Sequence, residues 1–251
     1  MKTKPVAVYT DHFVNKTLCY NFAKGSDCLM CHINNFNKFD ETIISYGYLR
    51  GVGDLYKKVR NFYYIDHGYF KQSERNFQNN TTNIIKLNGY FRIVQNDYWH
   101  NGSGSKPNDR FVSLNIEVKN LKKTGEYIIL SEPTKDAQNY YNLHNWTSET
   151  KEKLRNYTDR KIITHNRGSK ISLDELLKNA WAFVSDHSSA GFKSMLNGVP
   201  AYFTNTTLKN IASIENIERH DIDYNIFNNL AYEQWTIDEI KNGAAWEYLS
   251  K

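Results

Sequence analysis

The chain has 251 residues, 32 Lys and Arg against 27 Asp and Glu (net charge +5), and 40% hydrophobic residues. That length buries a sizeable core in one large domain or two small ones, and the composition is that of a soluble globular protein. The sequence holds no apolar run of about 18 residues to span a membrane. It holds no block of like charges either, so a polyanionic partner is permitted by the charge without being indicated by it. The start, MKTKPVAVYTDHF, lacks the apolar segment and small-residue cleavage site of a signal peptide, and the expected compartment is the cytoplasm.

Residues 5–9 form a short apolar run that empties into the polar loop Thr10-Asp11-His12, the pattern of a buried strand. Residues 14–23 follow as a helix closed by Gly25, 28–31 as a second strand and 42–47 as a third. A glycine-bearing turn over 47–53 leads into a helix at 54–59, and 62–66 is a fourth strand. Strands alternating with helices over short connections predict a parallel, Rossmann-like sheet. Cys28-Leu29-Met30-Cys31-His32 has the form of a haem attachment or half of a metal or redox site. Haem attachment needs export and a zinc site needs a second ligand pair, so these thiols are expected as small hydrophobes of a buried strand. Residues 71–113 are rich in Asn, Gly, Ser and aromatics. They predict one or two strands, including Tyr90-Phe91-Arg92-Ile93-Val94, and a loop around 102–108 of the length used for lids and binding loops.

A second α/β unit begins near Gly125. Its expected strands are 127–130, 161–165, 182–185 and 200–203. Its expected helices are 146–157, capped by Thr147 or Ser148, then 173–179, opened by Ser172 with Glu175 in capping-box form, and 192–196. Residues 135–141 begin a helix or loop, and 236–249 predict one amphipathic helix with Ile237, Ile240, Ala244 and Leu249 near one face. The sharpest segment is 184–200, which runs strand, small polar loop, helix, Gly-x-Pro, strand. A helix that starts in Ser188-Ser189-Ala190-Gly191 offers backbone N–H groups and hydroxyls to an anion such as a phosphate, or simply caps an ordinary turn.

Segment 184–200 resembles the donor-nucleotide region of GT-B glycosyltransferases, and 64–70, 90–96 and 228–246 are similar to phage proteins of glycosyltransferase type. The resemblance implies two Rossmann-like domains with a cleft between them. Residues 1–118 would form the acceptor side, 119–233 the nucleotide-sugar domain, and 234–251 a helix returning to the first domain. Ligands of doubly wound sheets sit at the carboxyl ends of the strands. Ser131 and Pro133, then His165, Arg167 and Lys170, then Ser185, Ser188, Ser189 and Ala190 are therefore the expected donor-binding residues. Arg167 and Lys170 are natural diphosphate partners, or else solvated loop charges. The family's helix usually carries a ribose-binding Glu about five residues before the Gly. Lys193 stands at that place and suits a phosphate instead.

Some phage enzymes of this class put sugars on hydroxymethylated pyrimidines in DNA. The implied function is transfer from a nucleotide sugar, a UDP-sugar first, to such a base. A polysaccharide or small-molecule acceptor and a non-catalytic nucleotide-binding module are the alternatives. GT-B enzymes generally need no essential metal, and Asp221-Ile222-Asp223 is expected as a turn. A base near the acceptor hydroxyl is commonly Asp, Glu or His. Asp11, His12, Asp66 and His67 are the candidates at strand ends, with Asp66 first and His67 second. Asp11, His12, Arg50, Gly51, Arg92 and Asn96 are expected on the acceptor side. Tyr90, Phe91, Tyr98 and Trp99 would stack on an exposed base or fill the core.

Overall fold

A computed structural model of the protein describes residues 2–78, 81–84, 86–220 and 223–251. Asp221 and Ile222 of the expected Asp-x-Asp turn lie outside the described residues. The chain forms two compact units, Met1–Trp99 with Ala231–Lys251, and His100–Leu230.

In chain order the first unit contributes β1 (Val6–Tyr9), α1 (Phe13–Ser26), β2 (Met30–His32), β3 (Ile43–Tyr46), α2 (Val52–Tyr56), β4 (Phe62–His67), β5 (Arg75–Gln78), β6 (Thr81–Ile84) and β7 (Tyr90–Gln95). Next come α3 (Asp109–Ser113), β8 (Tyr127–Ser131), α4 (Lys135–Tyr141), α5 (Trp146–Leu154), β9 (Lys161–His165), α6 (Leu173–Leu176), β10 (Ala180–Ser185), α7 (Ala190–Leu196), β11 (Ala201–Phe203) and α8 (Ile226–Ala231). The chain ends with β12 (Gln234–Thr236), α9 (Ile237–Lys241) and α10 (Ala244–Leu249).

The first unit is a six-stranded sheet of order β12-β7-β4-β3-β1-β2, with β5 and β6 as a separate antiparallel pair. Strands β2, β1, β3 and β4 are parallel, while β7 and β12 join antiparallel. Apolar side chains on both faces explain the unbroken hydrophobic runs, as expected of a parallel sheet covered twice. Ala7, Ile44, Tyr63 and Ile65 pack under Val14, Leu18 and Phe22 of α1, Ile240 of α9 and Ala245 of α10. Val8, Ile43 and Tyr64 face Val52, Leu55 and Tyr56 of α2.

Two glycines correct the expected helix ends. Gly25 does not close α1; the helix continues to Ser26 and stops at Asp27, which is left-handed (φ 51°) and returns its N–H to the Ala23 carbonyl. Gly25 is glycine because the α9–α10 connection lies against it: a Cβ would strike the Ile240 carbonyl and come within 2.8 Å of Gly243 N. The tail is two helices rather than one, broken at Gly243 (φ 92°), with a full capping box between Thr236 and Glu239 at its start. The second strand begins at Met30, two residues later than expected, and as an edge strand it is half-buried rather than buried; Cys19, Cys28 and Cys31 are free thiols, Cys19 buried and the other two half-buried.

The second unit is a four-stranded, wholly parallel sheet of order β11-β10-β8-β9. Ile128, Leu130, Ala182, Val184 and Tyr202 are completely buried on it, with Trp146 and Leu154 of α5 packed over them. Helix α5 is capped at Asn145, since the Thr147 hydroxyl reaches Glu132 and that of Ser148 donates to the Asn145 carbonyl. Ser172 does cap α6 through the Glu175 N–H, but the Glu175 carboxylate pairs with Lys178 instead of completing the box.

The units divide at 99/100 and 230/231. Residues 100–118 belong with the second sheet because Asn229 holds the Gly102 and Gly104 carbonyls and the Lys106 N–H, and Phe111 stacks on Phe227.

Candidate functional site

The parallel register of the second unit brings three loops to one sheet edge. Ser131 pairs with His165 across β8–β9 and with Ser185 across β8–β10, so all three expected donor loops leave at the same level. The first two are tied together: the Glu132 N–H donates to the His165 carbonyl (2.9 Å) and the Asn166 amide to the Glu132 carboxylate (3.1 Å). Burial pushes the His165 imidazole below its ordinary range, against the opposing pull of a backbone hydrogen bond at Ile171. Pro133 precedes the Thr134 cap of α4, while Arg167 and Lys170 are exposed on the His165 loop.

In the third loop the chain's own hydroxyls take part of the anion-binding capacity. The Ser188 N–H donates to Ser185 Oγ (3.2 Å), and the Ala190 N–H to Ser188 Oγ (3.2 Å). Ser189 is the N-cap of α7 without a side-chain cap bond. Lys193 pairs with Asp174 at 2.7 Å on a half-exposed surface of α7. Gly191 allows α7 to sit on β11, because a Cβ would lie 2.7 Å from the Phe203 ring.

The same loop contains a relay that sequence reasoning did not single out. The Trp146 indole N–H donates to Thr204 Oγ (2.7 Å), the Thr204 hydroxyl donates to Asp186 Oδ1 (2.7 Å), and Asp186 Oδ2 lies 2.5 Å from His187 Nδ1. The side chains of His187 and Asp186 are 14% and 10% exposed. The Tyr141 ring packs on the imidazole at 4.5 Å. The adjacent Asp-His at a strand end was the available signal; the partners Thr204 and Trp146 come from β11's end and α5, which no local pattern reveals.

At the strand ends of the first unit, Asn15 fixes the β1–α1 loop. Its side chain accepts the Thr10 N–H (2.8 Å) and donates to the Tyr46 carbonyl (2.9 Å). His12 follows, with a buried Nδ1 that has no partner, and burial together with the Arg50 charge holds its imidazole below the ordinary range. Asp11 is exposed, 3.5 Å from His32 Nε2. Arg50 (φ 60°) and Gly51 (φ 83°) make the left-handed turn that starts α2. Across the sheet edge, Tyr46 Oη is 3.4 Å from His67 Nε2.

Asp66 is anchored rather than open. Its carboxylate takes the Arg92 guanidinium (2.9 Å), the Tyr64 hydroxyl (2.8 Å) and the His67 N–H (2.8 Å). Burial pushes the carboxyl up, but the charges of Arg92 and His67 and these hydrogen bonds outweigh it and hold the group below its ordinary value. Arg92 is 1% exposed. It also donates to the His67 and Tyr98 carbonyls, with its guanidinium 3.8 Å from the Trp99 ring centre. Asn96 sits at the other edge of the sheet, because β7 runs antiparallel to β4 and places it beside Phe62 at the start of that strand. Of the rings expected either to stack on a base or to fill the core, Phe91 and Trp99 are core residues at 0% and 6% exposure, and Tyr98 packs on Tyr64 at 4.9 Å.

Among the described residues no group of three or more His, Cys, Asp or Glu is placed to hold a metal ion, and no helix is long and apolar enough to cross a membrane. No protein-family model and no curated protein matches the sequence. Solved structures do match. KpsC of Thermosulfurimonas dismutans, a beta Kdo 2,4 transferase, is similar with a TM-score of 0.50 and 10% identity, over 93% of this chain and 91% of that chain. The chain shares the fold of that transferase. A second KpsC structure from the same organism, a beta Kdo 2,7 transferase, matches with a TM-score of 0.46 and 10% identity, over 99% of this chain and 100% of the other.

Proposed function

We propose that this protein is a glycosyltransferase of the GT-B class that takes a nucleotide sugar as donor. The observation that carries this is the register of the second sheet, which brings the Ser131, His165 and Ser185 loops to one edge, where parallel α/β sheets bind nucleotides. The fold likeness to a transferase over nearly the whole chain supports it. The donor-side residues are Ser131, Pro133, His165, Arg167, Lys170, Ser185, Ser188, Ser189, Ala190 and Lys193, with a UDP-sugar the expected donor. Arg167 and Lys170 would meet the charge that develops on the leaving phosphate.

On the acceptor side, His67 takes the hydroxyl proton. A carboxylate bound to a buried guanidinium is a poor proton acceptor, since protonating it strands the arginine charge. Asp66 therefore serves as the anchor: it accepts the His67 N–H while Arg92 holds the His67 carbonyl. Asp11, His12, Arg50 and Gly51 line the same strand ends and would contact the acceptor.

The sequence resemblance implies a hydroxymethylated pyrimidine of DNA as acceptor. Burial of Phe91 and Trp99 takes two of the four rings that such an acceptor would stack on into the core, and the similar transferase carries no DNA acceptor in its name, so a carbohydrate acceptor comes first. The test incubates the protein with UDP-, CMP-, GDP- and dTDP-sugars and two acceptor sets: oligosaccharides, and duplex DNA containing hydroxymethyluracil or hydroxymethylcytosine. Mass spectrometry should find an added sugar on an oligosaccharide. An added sugar on a nucleoside restores the DNA acceptor. Nucleotide binding with no product from any pair leaves a non-catalytic module, and absence of both binding and product overturns the proposal.

A further inference from the structure

The first sheet runs β2-β1-β3-β4 with all four strands parallel. The chain leaves β1 for β2 on one side and returns to β3 on the other. Helix α1, which follows β1, packs on one face of the sheet, and α2, which follows β3, on the opposite face. The loops beyond β1 and β3 therefore part, and the crevice between such loops is where open parallel sheets bind ligands. Asn15, 2% exposed, ties the two strand ends together. Its side chain accepts the Thr10 N–H and donates to Ser45 Oγ (3.0 Å) and the Tyr46 carbonyl, while the Ser45 hydroxyl donates to the Val8 carbonyl (2.7 Å).

One of the two loops carries His12 and the other Arg50. His12 Nδ1 is enclosed without a partner. A buried N–H with no acceptor is the costlier state, so the ring proton belongs on Nε2. That nitrogen is not enclosed, and no hydrogen bond among the described residues engages it. Arg50 is exposed, stands in left-handed backbone (φ 60°), and makes no ion pair or hydrogen bond among the described residues. The carboxylates next to these loops in the chain have other partners: Asp11 lies 3.5 Å from His32 and Asp54 lies 3.9 Å from Lys57. Burial and then the Arg50 charge hold the His12 imidazole below its ordinary range, so the two groups stand close enough to repel when both are charged. An anion between them removes that repulsion.

We propose that the crevice between the β1 and β3 loops binds an anionic group of the acceptor, a carboxylate or a phosphate, with Arg50 as its counter-charge and His12 Nε2 as a second donor. This rests on the first unit holding the acceptor. The guanidinium presents two parallel N–H groups, which match two oxygens of either anion. The imidazole adds one N–H from the facing loop. Asn15 is the positioning residue: it fixes Thr10, whose hydroxyl oxygen accepts the His12 backbone N–H (3.3 Å), and the end of β3 ahead of the Arg50 turn. Both donors are thereby set before the ligand arrives, which lowers the cost of ordering them on binding. An acceptor without the charge leaves Arg50 unpaired, so the crevice selects acidic sugars over neutral ones.

The experiment titrates the full chain with methyl glucuronide, glucose 6-phosphate and methyl glucoside while NMR follows the His12 ring signals, assigned by their loss in His12→Gln. At least one acidic sugar should shift those signals and saturate, and the one that binds identifies the anion as carboxylate or phosphate. Methyl glucoside should leave them in place at the same concentrations. Arg50→Asn removes the charge and suits left-handed backbone, so it should fold and weaken the acidic sugar roughly 10- to 100-fold, as for loss of a charge-assisted pair. Lys58→Gln, at an exposed lysine just beyond α2, should change nothing. No binding of either acidic sugar, equal binding of the neutral one, an unaffected Arg50→Asn, or an equal loss in Lys58→Gln overturns the site. Transfer of sugar to neutral oligosaccharides alongside any of those results leaves the transferase reading in place. Acidic-sugar binding at His12 with no transfer from any donor keeps the site and removes that reading.

Discussion

Replacing Asp66 by Asn keeps the shape of the side chain and deletes the charge that faces Arg92. The ion pair is shielded: the Arg92 side chain is 2% exposed and that of Asp66 24%. Breaking a buried pair from one side costs about 3–5 kcal/mol, because the remaining charge stays desolvated. Arg92 retains its bonds to the Tyr98 and His67 carbonyls and its place over the Trp99 ring, so the lower end, about 3 kcal/mol, is expected. For a chain of this size that corresponds to a fall in Tm of roughly 6–12 °C by calorimetry at pH 7. The Asp66 carboxyl titrates below its ordinary value in the folded state. Its contribution is therefore complete above about pH 4 and is lost as the pH falls through the lowered value, so the gap between the two proteins should close on acidification. Pairing Asp66→Asn with Arg92→Met should restore much of the loss, since no buried charge is then stranded. A shift below about 1 °C at pH 7, or a gap that widens in acid, would refute the anchoring role.

Gly25→Ala should lower the urea midpoint, although Gly→Ala inside a helix ordinarily gains about 1 kcal/mol. The new Cβ meets the Ile240 carbonyl and Gly243 N, and separating α9 from α1 outweighs that gain. An unchanged or raised midpoint would show that the segment yields freely. His67→Gln should reduce kcat by about 10²- to 10⁴-fold with little change in KM for the donor, as for loss of a general base. A kcat within twofold of the parent would instead direct attention to His12, whose imidazole burial and the Arg50 charge hold below its ordinary range just beyond β1.

Much of the fold was legible because parallel strands are buried on both faces. Tyr127-Ile128-Ile129-Leu130 and Ala182-Phe183-Val184 are apolar runs with no alternation, and each is a strand in the structure. The helix ends at Gly25 and Gly243 were not legible, because each glycine answers a backbone more than 200 residues away in the chain. Nothing local distinguishes a glycine that stops a helix from one that admits a neighbour. The same limit governs the site. That the three loops proposed for the donor leave one sheet edge could be read, since each follows a strand. The state of Asp66 could not, because it depends on the antiparallel pairing that sets Arg92 opposite it. That pairing also carries Asn96 to the far edge of the sheet. Asp186 and His187 lay within the segment singled out, yet the relay they form depends on Thr204 and Trp146, which only the tertiary structure brings to them.

The central claim, that the loops after β8, β9 and β10 hold the nucleotide of an activated sugar, is tested most directly by peptide-resolved hydrogen exchange with and without a saturating nucleotide sugar. Protection should concentrate in residues 131–134, 165–170 and 185–191. Binding without protection in those three segments, or protection confined to the first unit, would contradict it.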